Sequence, residues 1–198
     1  IRFRNRNDVR VGAEYVIFET VQRVSHPVTG DDLGYLTHLL GKVRVVKTGR
    51  EYVTAQITDT WGEINRGDLI GPASEDFMLR VAPRPNERAV QGTLVEMMTP
   101  YLTLAGEHQL VIVDRGSSDG VQVGNTFTVI RQQDLGGNFM EPQKDQDERW
   151  PEEEIAVCMV VDVKDRASTC LMVRSIREVL KGDRVVMKLD AQPTASVR

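Results

Sequence analysis

One thirty-residue stretch occurs twice, and that repetition limits the folds open to this chain more than any other feature. Gly41 to Ile70 reads GKVRVVKTGREYVTAQITDTWGEINRGDLI, and at an offset of 115 it lies without a gap on Ala156 to Val185, AVCMVVDVKDRASTCLMVRSIREVLKGDRV. Six positions are identical: Val45/Val160, Val46/Val161, Thr54/Thr169, Glu63/Glu178, Gly67/Gly182 and Asp68/Asp183. A second block aligns at an offset of 112, where Val9, Val11 and Gly12 meet Val121, Val123 and Gly124, and Tyr15 and Ile17 meet Phe127 and Val129. Two blocks in the same order point to a duplicated module. Two copies do not make a solenoid, so each copy is expected to close most of its own core.

The residues inside the repeat are β-branched and alternate in polarity, which is the pattern of half-buried strands. Lys42–Thr48 and Tyr52–Thr58 form a hairpin around Gly49-Arg50-Glu51, and Asn65 to Asp68 is a tight turn. Glu14 to Val24 reads as a strand, with Tyr15 and Ile17 on its inward face because both meet large apolar counterparts, while Val16 meets Thr128. Leu33 to Leu40 reads either as a strand or as one helical turn. Long helical periodicity is absent. The expected fold class is mainly β: two duplicated small β-barrel or sandwich-like modules joined by a Pro-containing linker. The first module covers 1–72, the linker 73–89 with Pro83 and Pro85, the second module 90–189, and a polar tail 190–198.

The inserts differ between the copies. The first, Ser25 to Leu40, carries His26-Pro27 and Thr29-Gly30-Asp31. The second, 132–154, holds eight acids between Asp134 and Glu154 against Lys144 and Arg149, with Phe139, Met140 and Trp150 set among them. This segment reads either as a solvated loop or as a contact loop whose apolar residues dock while the acids orient. Phe139, Met140, Trp150, His26 and Tyr35 are the candidate partner contacts. Trp61 aligns with Ile176 and so reads as core.

A net charge of −4 argues against a nucleic-acid partner, and no apolar run is long enough to span a membrane. The three histidines, His26, His38 and His108, are scattered and show no metal-ligand spacing. No GxSxG elbow, phosphate loop or Rossmann glycine pattern is present. The Gly-Asp turns lack the further oxygen ligands of a calcium loop. No catalytic residue, cofactor or metal is therefore expected. Cys158 and Cys170 flank the hairpin VKDRAST and fall at or near opposite positions on paired strands. A cross-strand disulfide and two small buried thiols are both open. Val43 and Ala55 at the same positions of the first copy favour packing.

VDRGSSDGVQVGNTFTVIR, followed by AVCMVVDV and LKGDRVV, resembles the C-terminal domain of flagellar assembly protein T. DVRVGAEYVIFETVQRVSHPVTGDDLGYLTHLLGKVRVV through INRGDLIGP resembles the same unit in LysM-bearing, type IV pilus secretin-associated envelope proteins. The resemblance covers nearly the whole chain in two units. It implies a periplasmic, outer-membrane-associated and non-enzymatic role: a structural adaptor, prone to homo-oligomerise, that anchors a secretin or similar ring at the peptidoglycan. The chain shows no LysM module and opens at Ile1 without a Met, so peptidoglycan binding is expected of a segment before Ile1. A module that binds the glycan itself, using Trp61, Tyr101 and Trp150, and a flagellar ring accessory protein are the competing expectations.

Overall fold

The computed structural model describes residues 1–3, 9–72, 80–132 and 151–190. The chain is mainly β, as the alternation requires, and none of its helices among the described residues is long and apolar enough to cross a membrane. It divides into two compact units, Ile1–Arg23 with Tyr35–Met78, and Val24–Gly34 with Leu79–Arg198.

The first unit is built on four strands: β1 (Glu14–Ser25), β2 (Asp32–Thr48), β3 (Val53–Thr60) and β4 (Leu69–Pro72). They form one sheet in the order β3-β2-β1-β4. Leu33 to Leu40, open between strand and helical turn in the sequence, is strand. The core is small. Ile17, Leu40 and Val43 are buried, with Tyr15, Ala55, Ile64 and Ile70 only partly covered around them. Val16 is buried too, against the expectation from its alignment with Thr128. Alternation along a strand sets which residues share a face, not which faces are covered.

The second unit contains β5 (Val90–Met97), β6 (Leu104–Ala105), β7 (Leu110–Val113), β8 (Thr126–Arg131), β9 (Glu153–Val163), β10 (Ser168–Ser175), β11 (Val179–Leu180) and β12 (Arg184–Met187). Six of these close a barrel in the order β10-β7-β5-β12-β8-β9, and β6 pairs with β11. Closure leaves the barrel without an edge and gives a continuous core around Phe127, Leu94, Met97, Val111, Val113 and Met172. Among the described residues, only the second unit forms a closed barrel.

The pairings of β2 with β3 and of β1 with β4 recur in the barrel at matched positions. Val43 faces Ile57 and Val45 faces Ala55; at the offset of 115, Cys158 faces Met172 and Val160 faces Cys170. Irregularities fall at the same steps, Val45/Lys47 and Thr169/Cys170. Ile17 faces Ile70 as Val129 faces Val185. The turns match as well. Gly12 donates to the Val45 carbonyl at 2.8 Å and Gly124 to the Val160 carbonyl at 2.9 Å, and both glycines are left-handed, at φ 88° and 94°. The Asp68 carboxylate accepts the Asn65 N–H at 2.6 Å, and that of Asp183 accepts the Leu180 N–H at 2.7 Å. The Gly-Asp positions therefore make turns, each pinned by its aspartate.

Residues 80–89 fall in the second unit, where Asn86 is buried. The Asn86 side-chain amide donates to the carbonyls of Thr126 at 3.0 Å and Lys188 at 2.9 Å, and its side-chain oxygen accepts the Thr126 N–H at 3.1 Å. The tip of the β1–β2 hairpin, Val24–Gly34, also belongs to the second unit.

Candidate interaction surfaces and the His26–Asp114 cluster

The hairpin tip is organised by one imidazole. His26 Nδ1 accepts the backbone N–H groups of Val28 and Thr29, both at 3.1 Å. The His26 carbonyl accepts the Gly30 N–H, and its own N–H donates to the Asp31 carbonyl, both at 2.8 Å. With Nδ1 accepting, the ring proton lies on Nε2, which donates to Asp114 Oδ2 at 3.1 Å. Asp114 stands just past β7. Its Oδ1 accepts the Thr93 N–H of β5 at 2.5 Å, and its Oδ2 accepts Arg115 Nη1 at 2.9 Å. Arg115 Nε in turn donates to the Gln91 carbonyl at 2.6 Å.

Both ring nitrogens of His26 are thus engaged, and the histidine and aspartate side chains are each 9% exposed. A general base needs a free lone pair within reach of substrate; here that lone pair holds the turn. The cluster acts as a clamp that ties the hairpin tip to the ends of β5 and β7. His26 is thus held within the fold: turn chemistry located it in a loop but could not show what the loop covers. His26→Ala is expected to lower stability by roughly 1–3 kcal/mol and to speed exchange of the Val28 and Thr29 amides. Hydrogen exchange by NMR checks this, and unchanged exchange at those two amides would refute the clamp.

Of the other sequence-predicted contacts, Tyr35 is 65% exposed. Phe139, Met140 and Trp150 lie outside the described residues. Trp61, read as core, is 48% exposed, which overturns that reading. Its aligned partner Ile176 is exposed as well: an apolar pair at matched positions need not be inside. Lys42 Nζ lies 5.9 Å from the Trp61 ring centroid, over its face. Tyr101 stands almost fully out in solvent, at a positive φ of 64°.

Cys158 and Cys170 are both buried free thiols. They are not directly opposite, since Cys158 faces Met172 and Cys170 faces Val160. A hydrogen bond with Cys170, then burial, pushes the Cys158 thiol well above its ordinary value. The stability gained by holding it protonated is complete below the unfolded value near 9.0 and is lost as pH rises toward the higher folded value. Cys158→Val, which copies Val43, is expected to cost less than about 1.5 kcal/mol at neutral pH. In thermal melts from about pH 8 to about pH 10 it should lose less stability than the parent. An identical alkaline loss in both would exclude Cys158 as a source.

Sequence reasoning missed three charged groups that the barrel encloses. Asp183 is buried and takes Arg131 in a two-point ion pair through Nη2 and Nε, the latter at 2.9 Å, while Arg131 Nη2 also reaches the Glu178 carbonyl at 3.2 Å. Glu96 is buried on β5, accepts the Met97 N–H at 2.9 Å and pairs with Lys181. The partners are remote in sequence, 52 residues apart for Arg131 and Asp183, so only the tertiary fold pairs them. Among the described residues no group of three His, Cys, Asp or Glu side chains is arranged to hold a metal ion.

In the first unit the outer strands of the sheet are β3 and β4. They carry the exposed apolar side chains Ile57 and Leu69, with Tyr52 exposed in the turn before β3. Apolar side chains on an edge strand are the usual setting for pairing with another strand. No family model matches this chain, and no curated protein is significantly similar to it.

Proposed function

We propose that the two units are copies of one β module and that the chain is a non-enzymatic structural adaptor of the bacterial envelope. It would sit in the periplasm near the outer membrane, at a secretin or type IV pilus ring. The observation that carries this reading is the contrast between the units. The framework register is the same in both, yet among the described residues one unit is a closed barrel and the other has β3 and β4 as apolar outer strands. A barrel without edges does not recruit strands, and an open sheet does. The resemblance to secretin-associated envelope proteins supplies the partner class.

Light scattering after size exclusion tests the reading, with the chain alone and with a secretin ring. Co-elution with the ring, or a ring-sized assembly of the chain, supports an adaptor. A monomer that ignores the ring at micromolar concentration removes it. Exposure of Trp61 and Tyr101 favours a second reading, a module that stacks on glycan strands. Titration with soluble peptidoglycan fragments, followed by tryptophan fluorescence, separates the two.

A further inference from the structure

We infer that the outer face of β7, β10 and β9 is a docking surface for a second copy of this chain, which packs on it face to face about a two-fold axis. This contact is separate from the outer strands β3 and β4, on which the adaptor reading depends.

An antiparallel sheet with one core turns apolar side chains to that core and polar ones to water. Three neighbouring strands of the barrel depart from this. Val111 and Val113 of β7, Cys170 and Met172 of β10, and Cys158 and Val160 of β9 belong to the core. The residues that alternate with them are apolar as well: Leu110 and Ile112, Leu171 and Val173, Val157 and Met159. Leu110 faces Leu171 and Leu171 faces Met159, so the row runs unbroken across three strands. Val173 is 45% exposed and Leu110 36%, and the other four are partly exposed.

The fold does not require an apolar row here. At the offset of 115 the first unit has the same strand pair, with Arg44 facing Gln56 where Met159 faces Leu171, and Lys42 facing Asp59 where Val157 faces Arg174. Thr58 stands at the Val173 position. The inward positions stay apolar in both units: Val43, Val45, Ala55 and Ile57 match Cys158, Val160, Cys170 and Met172. The outward row alone changes, from polar to apolar. Core packing is not the cause, because the row lies outside the core. A contiguous exposed apolar patch with a polar rim marks a contact surface.

The charges at its two ends select the occupant. Arg174 is exposed beside Val157 at one end, and its side chain makes no hydrogen bond or ion pair among the described residues. Asp162 faces Thr169 at the other end. Its side chain is 47% exposed and keeps Lys164 at 3.1 Å, with acceptor sites left for a second donor. Two such faces, related by a two-fold axis that lies in the interface and runs across the strands, exchange ends. Each Arg174 then meets Asp162 of the other copy. Aligned sheets pack in this way about 10 Å apart, and an isologous contact closes at two copies. The ion pairs set orientation more than affinity. A face of three strands is smaller than the roughly 800 Å² per partner of a standard interface, so the dimer is expected to be weak.

Sedimentation equilibrium of the whole chain, from micromolar to millimolar concentration, is expected to show a monomer–dimer equilibrium. Met159→Arg with Leu171→Gln copies the facing pair of the first unit, so the strand pairing is kept. It is expected to raise the dissociation constant about tenfold or more. Arg174→Asp and Asp162→Arg should each weaken self-association, while a mixture of the two single variants forms a heterodimer, because both end contacts are restored. A soluble paramagnetic probe should reach the methyl groups of Leu110 and Leu171 in dilute parent protein and be excluded in concentrated protein. Slow amide exchange at Cys170 and Met172 checks that the barrel is intact in every variant. A parent that stays monomeric overturns the inference. So does a dimer that survives Met159→Arg with Leu171→Gln, or a mixture of charge variants that does not associate. Shielding of the two methyl groups that is independent of concentration also overturns it, because the chain would then cover the face itself, residues 133–150 and 191–198 included. A monomeric chain that still co-elutes with a secretin ring excludes the dimer and leaves the adaptor reading standing.

Discussion

Asp183→Ala is expected to destabilise the barrel by roughly 3–5 kcal/mol, the cost of leaving a buried charge without its partner. Arg131 is only 14% exposed and directs both Nε and Nη2 at this carboxylate. The same substitution also removes the acceptor that pins the Leu180 N–H in the Gly182 turn. Asp68, the matching residue of the first unit, makes the same turn bond to Asn65, but the position matching Arg131 is Glu19. Asp68→Ala is therefore expected to cost only about 1 kcal/mol, the net worth of one hydrogen bond. Urea titrations of the two variants check the asymmetry. Equal losses would show that the turn, and not the buried pair, carries the effect. Replacing Arg131 and Asp183 together by apolar residues should recover part of the loss, because no orphaned charge remains.

Gly124→Ala and Gly12→Ala form the second contrast. Both glycines are left-handed, so a side chain is strained at either position, by roughly 1–2 kcal/mol. At Gly12 an added Cβ meets nothing within 4 Å. At Gly124 it would lie 2.4 Å from the Ala82 carbonyl oxygen and 3.2 Å from the Arg84 backbone nitrogen. Backbone cannot swing aside as a side chain can, and Arg84 is itself held here by its N–H bond to the Gly124 carbonyl at 2.8 Å. Gly124→Ala is expected to lose more than about 4 kcal/mol or to release residues 80–89 from the barrel. Gly12→Ala should lose only the strain. Thermal melting, with proteolysis near Arg84 as a second readout, distinguishes the two, and similar losses would mean that the approach of Ala82 is not rigid.

These contrasts mark how far the sequence can be read. Gly12 and Gly124 are legible as equivalent turn glycines, and Asp68 and Asp183 as equivalent turn aspartates, because backbone angles and turn bonds span only a few residues. The cost of changing them depends on what else approaches: Ala82 in one case, Arg131 in the other. Neither neighbour can be seen from the repeat. The candidate site shows the same limit. The turn chemistry around His26 is local and legible, but Asp114, 88 residues away, is joined to it only by the tertiary fold.

The sequence by itself determined the β class, the hairpins and the turn positions. Alternation and turn propensity act along the chain, and the repeat supplied each reading twice. Tertiary structure decided which unit closes, which residues are covered and where the hairpin tip belongs. Val16 is buried and Trp61 exposed against their sequence readings for one reason: burial depends on strands far away in the chain. Met172, on the strand that pairs with β7, is wholly buried, while the matching Ile57 is left half in water.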